Sequence, residues 1–380
     1  MKHVNSSPDS RVLPSALIEA AAKFRATLNA AREAAGPVHF SWYPYDSLGN
    51  IIHITRLLEG TGLDLSSLVQ GKTILDLGCA DGDFAFFLES LGASVVAVDH
   101  PRGNYNTLAG ISALRDQLHS DVQIRTMDLE KGVHTGPDRF ELTLALGLLY
   151  HLRNPFGFLE SLSTCTRYCI LSTRVMRRVP GVDRDVSALP LTWLLGSDEL
   201  NADDSNFWIF TEAALRRLFE RAHWQVRALT SVGDTAESMP HTMENDERAF
   251  CLLESCYGDI GIELGGGWHE PEDTGWRWTA KEFTVRAQQA DDSVMVTASI
   301  YVPDVLIASF PSVTLNLRVN GEPVDPEVYS TPGKFTYTRR LPVRAADLLL
   351  EFSVSHAMPP DAADKRERSL IVEAVHLVRA

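Results

Sequence analysis

A glycine-rich turn between a short apolar run and a helical pattern is the feature that most constrains the fold. The run Thr73–Leu77 is short and apolar, which is typical of a strand covered on both faces of a sheet. Gly78 and Gly82 bracket the turn that follows, where the missing Cβ lets the backbone turn tightly and approach a ligand. Apolar residues then recur at helical spacing: Phe84, Phe87, Leu88 and Leu91. This order of strand, turn and helix predicts a doubly wound α/β sheet.

Acidic residues around the turn indicate which ligand it binds. A second predicted strand, Ser94–Val98, ends in Asp99, about 20 residues after the turn, where an acid can bind the hydroxyls of a ribose. The dinucleotide fingerprint has the spacing G-x-G-x-x-G, whereas this turn has G-x-x-x-G with Asp76, Asp81 and Asp83 around it. Three carboxylates repel a pyrophosphate and suit a cation. The alternative is a sheet whose turn simply requires glycine.

Together, the turn and the acid on the second strand resemble the signature of class I S-adenosylmethionine-dependent methyltransferases. The segment Leu146–Pro155, LGLLYHLRNP, is similar to one in the tRNA wobble-uridine carboxymethyltransferases and their relatives. The aromatic stretch Asn206–Thr211, which precedes a predicted helix over 212–222, resembles the same group. This resemblance covers about half of the chain. It implies a Rossmann-like methyltransferase fold, S-adenosyl-L-methionine as cofactor and methyl transfer as activity.

The motif and the resemblance together assign candidate site residues. Those expected at the cofactor are Asp76, Gly78, Cys79, Ala80, Gly82, Asp99, His100, Asp128, Leu129, Leu146 and Tyr150. Those expected on the acceptor side are Trp42, Tyr43, His53, Arg174, Asn206 and Trp208. His151 follows the fourth predicted strand at the carboxyl edge of the sheet and is the candidate general base. A structural or cofactor-positioning role for His151 is the alternative.

Three regions are predicted along the chain. Residues 1–60 form an N-terminal cover, with an amphipathic helix over 14–35 and an aromatic loop over 40–50. That loop either closes over the cofactor or plugs the space under the first helix. Residues 61–258 form the methyltransferase domain, and residues 259–380 form an accessory all-β sandwich. Gly265–Gly267 is interpreted as a hinge between the two.

The prediction of a sandwich depends on a change of periodicity after Glu282. Apolar residues alternate over 294–300 and 313–319, and the latter run ends at Asn320-Gly321, a strong hairpin signal. Further strands are expected over 335–343, 348–354 and 370–377. The segment 267–279 contains Trp268, Trp276 and Trp278 and is similar to the opening of accessory modules in bacterial enzymes of surface-glycan assembly. These tryptophans either stack on sugar rings or seal a domain interface.

Composition excludes several classes of function. The 380 residues contain five cysteines without a C-x-x-C pair, so neither a disulfide framework nor a zinc site is expected. No apolar run is long enough to span a membrane and no secretory signal is present, which predicts a cytoplasmic protein. The net charge of -15, with no long Lys/Arg cluster, argues against a nucleic-acid partner. Arg174, Arg177, Arg178 and Arg184 either contact an anionic group or form a solvated loop.

The sequence therefore predicts a methyltransferase that acts on a hydroxyl of a small molecule or glycan intermediate. One alternative is a tRNA-modifying methyltransferase. Another is a non-catalytic protein that binds the cofactor and whose C-terminal tail recognises glycans.

Overall fold

The structure, a computed structural model, describes residues 14–133, 135, 139–200, 203–257, 259–260, 262–272, 276–288, 294–341, 345, 347–362 and 364–379. The chain divides into two compact units: the first ends at Ser255, and the second consists of Thr135–Asp138 together with the residues from Cys256 onward. Each unit has a hydrophobic interior of its own.

The first unit is built on one mixed sheet. Its strands are β1 (Thr73–Leu77), β2 (Ser94–Asp99), β3 (Gln123–Thr126), β4 (Phe140–Leu146), β5 (Thr166–Val175), β6 (Thr192–Leu194), β7 (Trp208–Phe210), β8 (Trp224–Gly233) and β9 (Glu247–Ser255). The order β3-β2-β1-β4-β5 is parallel, and β9 and then β8 continue it in antiparallel pairing. Short β7 pairs with the carboxyl end of β5 and carries β6. The predicted doubly wound α/β sheet is confirmed.

Helices cover both faces of this sheet. They are α1 (Pro14–Ala34), α2 (Ile51–Leu58), α3 (Leu65–Val69), α4 (Asp83–Ser90), α5 (Ala109–Leu118), α6 (Pro155–Cys165) and α7 (Glu212–Arg221). Side chains alternate along β1, so that Ile74 packs in the core under α1 to α5 while Leu75 packs in the core under α6 and α7. Ile74, Leu75 and Leu77 are apolar because both faces of the strand are covered, and Asp76 is the one acid among its buried residues.

The N-terminal segment has the predicted helix followed by a less regular stretch. Helix α1 buries Leu17, Ala21 and Leu28 in the first core, which confirms the amphipathic pattern. The aromatic stretch is irregular until a single 3-10 turn at Ser47–Asn50, which runs directly into α2. Helix α2 was not predicted from the sequence.

The second unit is a sandwich of two sheets, which confirms the predicted fold class. Its strands are β10 (Asp259–Ile260), β11 (Ile262–Leu264), β12 (Arg277–Trp278), β13 (Glu282–Gln288), β14 (Val294–Val302), β15 (Val313–Val319), β16 (Glu322–Tyr329), β17 (Gly333–Arg340), β18 (Asp347–Val354) and β19 (Ile371–Arg379), with one short helix, α8 (Asp304–Ser309). One sheet has the order β10-β19-β14-β17, with β12 on β19, and the other has the order β11-β13-β18-β15-β16. Alternate residues of both sheets meet in one core.

Two predictions about glycines of the second unit can be compared with the structure: one is confirmed and one is wrong. Asn320 and Gly321 both have positive φ and join β15 to β16 as a two-residue hairpin, as the sequence predicted. Gly265–Gly267 is not a hinge, because these residues pack against β13: the Gly265 amide donates to the Thr284 carbonyl oxygen at 2.9 Å. A Cβ on Gly267 would lie 1.9 Å from the carbonyl oxygen of Glu282. This close approach explains the glycine.

The cysteines of the chain are thiols in this structure. All five cysteines lie within the described residues and form no disulfide, and four of them are buried. Among the described residues, no helix is long and apolar enough to cross a bilayer.

We predict that Gly82→Ala destabilises the first unit more than Gly71→Ala does. Both glycines have positive φ, which costs an alanine about 1 kcal/mol. At Gly71 the added methyl group meets nothing within 4 Å, whereas at Gly82 it lies 2.7 Å from Ile111 Cδ1 and 2.9 Å from Phe86 Cε2. Overpacking adds roughly 1–3 kcal/mol at Gly82. Urea unfolding followed by far-UV circular dichroism measures the difference, and equal losses in the two variants would contradict the packing argument.

Candidate active site

The glycine turn holds its shape through left-handed backbone and a bond to the neighbouring strand. Gly78, Ala80 and Gly82 have φ of +69°, +50° and +83°. The Gly78 amide donates to the Val98 carbonyl oxygen at 2.9 Å, which ties the end of β1 to the end of β2. The turn therefore lies at the carboxyl edge of the sheet, where ligands of such folds bind.

Asp76 is a buried carboxylate with an unsatisfied oxygen. Its side chain is 6% exposed, and Oδ2 has no hydrogen-bond partner among the described residues. Burial, reinforced by the charge of Asp99, raises the pKa of Asp76 to about 7. A buried anion without a partner is costly, so a cation placed beside it would restore the charged form.

The other two acids of the turn serve the protein itself. Asp81 accepts hydrogen bonds from the Tyr43 amide at Oδ2 and from Asn106 Nδ2 at Oδ1, both at 2.7 Å. Asp83 forms an ion pair with Arg32 of α1. Of the three carboxylates expected to favour a cation, only Asp76 lines the cavity described below.

Asp99 has most of its hydrogen-bonding capacity occupied. Oδ1 accepts from the His100 amide at 2.8 Å, and Oδ2 accepts from Asn104 Nδ2 at 2.9 Å and from the Ala80 amide at 3.2 Å. A carboxylate has about four acceptor positions, so about one remains for a ligand hydroxyl. Burial raises the pKa of Asp99.

Asp128 lies on the adjacent strand edge. The Met127 amide donates to the Asp99 carbonyl oxygen at 3.2 Å, so the residues after β3 run beside the end of β2. Asp128 caps a short 3-10 turn through the Glu130 amide, and its hydrogen bond with Lys131 lowers the pKa of Asp128. The next residue, Leu129, is buried.

One cavity of about 400 Å³ opens at this edge of the sheet. Its walls come from the glycine turn, the aromatic stretch, the ends of β4 and β5, the segment before β7 and the start of β9. The lining residues are Tyr43, Tyr45, Asp46, Ser47, Asn50, Asp76, Leu77, Gly78, Cys79, Ala80, Phe84, Leu146, Gly147, Tyr150, His151, Ser172, Arg174, Leu200, Asp203, Asn206, Met243 and Arg248.

Many of the residues predicted from the sequence line this cavity. On the cofactor side they are Asp76, Gly78, Cys79, Ala80, Leu146 and Tyr150, and on the acceptor side Tyr43, Arg174 and Asn206, together with His151. The predicted residues that do not line it are Gly82, Asp99, His100, Asp128, Leu129, Trp42, His53 and Trp208.

The three acceptor candidates that do not line the cavity contact other residues of the first unit. Trp42 packs at the edge of the first core and lies under the Arg32 guanidinium, 5.7 Å from the ring centroid. His53 lies in α2 with its ring 5.0 Å from that of Phe250. Trp208 donates from Nε1 to the carbonyl oxygen of Arg153 at 3.3 Å.

The aromatic stretch contributes two tyrosines to the cavity. Tyr43 is held there by the bond of its amide to Asp81, and burial, followed by the nearby Tyr150, raises its pKa to about 12. Tyr45 is 69% exposed and contacts Tyr43 edge to face, with the centroids 5.3 Å apart. Neutral aromatic rings therefore form one side of the cavity.

Two arginines on paired strands form another wall. Arg174 is opposite Arg248 in the register of β5 and β9, and Asp246 forms an ion pair with each of them. Arg174 is 1% exposed and also donates to the Thr242 carbonyl oxygen at 2.8 Å, so its guanidinium holds the loop before β9. Arg248 lies over the Tyr150 ring at 5.9 Å from the centroid.

Sequence reasoning missed Arg248, Met243 and Asp203, which also line the cavity. Arg248 lies near the start of β9, which runs antiparallel to β5. The first residues of β9 therefore lie beside the carboxyl end of β5, at the edge of the sheet where the cavity opens. Nothing in the local pattern around Met243 or Asp203 indicates a site.

His151 follows β4 in a single 3-10 turn, Leu149–His151. Its Nδ1 lies 3.1 Å from both the carbonyl oxygen and the hydroxyl of Ser205. Burial lowers the pKa of His151, so the ring is neutral near pH 7 and able to accept a proton. In the described part of the chain no cluster of His, Cys, Asp and Glu is suited to a metal ion.

Comparison with known proteins finds similarity over part of the chain. Residues 51–229 match the methyltransferase domain family. The tRNA U34 carboxymethyltransferase of Azotobacter vinelandii is 28% identical over 199 residues, which are 47% of this chain and 57% of that protein. The ubiquinone biosynthesis O-methyltransferase of Paracidovorax citrulli is 25% identical over 126 residues, 32% of this chain and 50% of that protein. The chain spans about half the length of the curated relatives it matches.

Among solved structures, the N-terminal domain of EvdMO1, crystallised with SAH and D-fucose, is similar to this chain. It is 17% identical with a TM-score of 0.40, and the match covers 61% of this chain and 96% of that one. The methyltransferase domain matched over residues 51–229, together with these relatives, supports a class I S-adenosylmethionine-dependent methyltransferase with S-adenosylmethionine as its cofactor.

Proposed function

We propose that this protein transfers the methyl group of S-adenosylmethionine to a hydroxyl of a small polar molecule or a glycan intermediate, with His151 as the general base. The observation that carries the proposal is that a single cavity is lined both by the glycine turn with Asp76 and by His151. With these assignments the cofactor and the base would share one cavity, as methyl transfer to a hydroxyl requires.

The residues at the turn fit the cofactor. Its amino acid and sulfonium groups are cationic, and Asp76 offers them a buried carboxylate oxygen with no other described partner. Asp99 has about one acceptor position left for a ribose hydroxyl. Asp128 and Leu129, beside the end of β2, suit the adenine end. When bound, S-adenosylmethionine supplies a methyl carbon that is already electrophilic, so the protein's part is alignment and proton removal.

The lining on the acceptor side favours a hydroxylated molecule. Ser47, Asn50 and Asn206 present hydroxyl and amide groups there, and Tyr45 offers an exposed ring beside them. Hydroxyl and amide groups bond to the hydroxyls of a sugar or similar molecule, and a ring packs on its apolar C–H face. Arg174 contributes through the loop that it holds rather than as a free cation, because its guanidinium is already bonded to protein groups.

Methylation of tRNA is the second candidate. It is favoured by the relatives named tRNA U34 carboxymethyltransferases, which match 47% of the chain. The net charge of -15 opposes it, because neutralised phosphates dominate the affinity of proteins for nucleic acids.

Labelled cofactor separates the two candidates. The full chain is incubated with methyl-labelled S-adenosylmethionine and, in parallel, with bulk tRNA and with a fraction of small molecules and glycans. We expect label in the second fraction, where mass spectrometry then identifies the product. Label that appears in RNA alone would contradict the proposed function in favour of the second candidate.

We predict that the affinity for S-adenosylmethionine falls as the pH falls through about 7. Asp76, with a pKa of about 7 in the free protein, is protonated below that pH and then no longer attracts a cation. The dissociation constant should rise by up to about tenfold per pH unit in calorimetry between pH 5.5 and 7.5. Asp76→Asn should bind weakly with little dependence on pH, whereas Asp116→Asn, on the exposed end of α5, should behave as the wild type. A pH-dependent affinity in Asp76→Asn would contradict the assignment.

We predict that His151→Gln lowers the turnover number and leaves the affinity for the cofactor unchanged. General-base catalysis contributes roughly 10²–10⁴-fold to rate, and the amide of glutamine cannot accept the proton. Turnover on the identified acceptor and the dissociation constant of S-adenosylmethionine are measured together. His119→Asn, at the exposed end of α5, is the control, because asparagine tolerates its positive φ. Parallel loss of turnover and affinity would instead indicate a structural role for His151.

A further inference from the structure

The segment before β7 places two polar residues against the His151 ring. The Ser205 carbonyl oxygen and Oγ each lie 3.1 Å from His151 Nδ1. Ser205 Oγ donates to Asp203 Oδ1 at 2.6 Å, and the Ser205 amide donates to the same oxygen at 3.0 Å. A chain of hydrogen bonds therefore runs from the imidazole through the serine to a carboxylate.

These bonds determine which ring nitrogen carries the proton. A carbonyl oxygen only accepts hydrogen bonds, so Nδ1 must be the donor in that contact. The single hydroxyl proton of Ser205 is given to Asp203, so the hydroxyl too can only accept from Nδ1. Both contacts require the tautomer with hydrogen on Nδ1. In the neutral ring Nε2 then has a free lone pair, and within the described residues Nε2 has no hydrogen-bond partner.

The backbone fixes this segment beside the histidine. The Phe207 amide donates to the Tyr150 carbonyl oxygen at 2.8 Å, one residue before His151. The Asn206 amide and its Nδ2 donate to the Asp203 carbonyl oxygen at 3.2 and 3.3 Å, which closes a tight turn. Asp203 and Asn206 also line the cavity together with His151.

We propose that Asp203 and Ser205 are positioning residues that hold hydrogen on Nδ1 of His151 and so present the lone pair of Nε2 to the acceptor hydroxyl. This inference rests on the proposed function. The proton of the hydroxyl passes to Nε2 while its bonding electron pair stays on the acceptor oxygen. The imidazolium that results then lies across Ser205 from the Asp203 carboxylate, which stabilises its positive charge.

Charged groups from two elements act on the ring. Burial is the main effect and lowers the pKa of His151, and Arg248 of β9 lowers it further. The Ser205 bond and the charge of Asp203 raise it. The Tyr150 ring packs against the imidazole with the centroids 4.4 Å apart. Removing the charge of Asp203 therefore shifts the pKa of His151 downward.

The tautomer can be read directly in the full-length protein without knowing the acceptor. Two-bond proton–nitrogen NMR correlation on ¹⁵N-labelled chain distinguishes the two neutral tautomers, and the signals of His151 are those lost in His151→Gln. We expect the Nδ1–H form in the wild type. Asp203→Asn should lower the pKa of His151, because it removes a charge that raises it, and should increase the share of the Nε2–H form.

Variants of the residues next to Asp203 serve as controls for the effect of Asp203→Asn on His151. Asp204→Asn removes an equal charge from an exposed adjacent residue and should change neither the tautomer nor the pKa of His151. Ser205→Ala should give part of the effect of Asp203→Asn, because the carbonyl contact remains, and Ser205→Thr should restore the wild-type signals. An Nε2–H tautomer in the wild type, or no response to Asp203→Asn, would overturn this inference and leave the proposed function standing. A His151→Gln protein that methylates at the wild-type rate would overturn the proposed function instead.

Discussion

The buried carboxylate of Asp81 joins three segments of the first unit: the glycine turn, the aromatic stretch and the residues before α5. It belongs to the glycine turn, and it accepts one hydrogen bond from the aromatic stretch at Tyr43 and one from Asn106 before α5. Helix α5 approaches so closely that a Cβ on Gly110 would lie 2.1 Å from Asp81 Oδ1. Because the carboxylate is 2% exposed, loss of either donor would leave a buried charge underpaired. The position of Tyr43 in the cavity therefore depends on this acid.

Local pattern predicted the elements of the fold well, because strands and turns depend on near neighbours in the chain. Thr73–Leu77 is a strand as predicted, and Asn320-Gly321 forms the hairpin that its sequence favours. The roles of polar side chains were harder to predict. Asp81 was one of three acids expected to favour a cation, but it bonds to residues 25 and 38 positions away. Arg174 was a candidate on the acceptor side, but it is bonded to a loop 68 positions away. Such partners depend on tertiary contacts, which the periodicity of the sequence does not indicate.

The electrostatics of the cavity differ between its two ends. At the glycine turn, Oδ2 of the Asp76 carboxyl has no described hydrogen-bond partner, so this end favours a cation. At the opposite wall, the single carboxylate of Asp246 pairs with both Arg174 and Arg248. On the proposed function, Asp76 attracts the charged donor. Ser47, Asn50, Asn206 and Tyr45, which line the same cavity, would then contact the acceptor through hydrogen bonds and a ring contact.

The two ends of the cavity differ because different structural elements form them. The donor end consists of backbone and acids at the ends of β1 and β2, whose positions are fixed by the parallel sheet and by positive φ at Gly78. The acceptor end consists of side chains on irregular segments, each held by a buried polar residue: Asp81 for the aromatic stretch and Arg174 for the loop before β9. Replacing residues between those anchors changes the cavity wall without disturbing the sheet. The same fold can therefore keep its donor while changing its acceptor, because the two depend on different contacts.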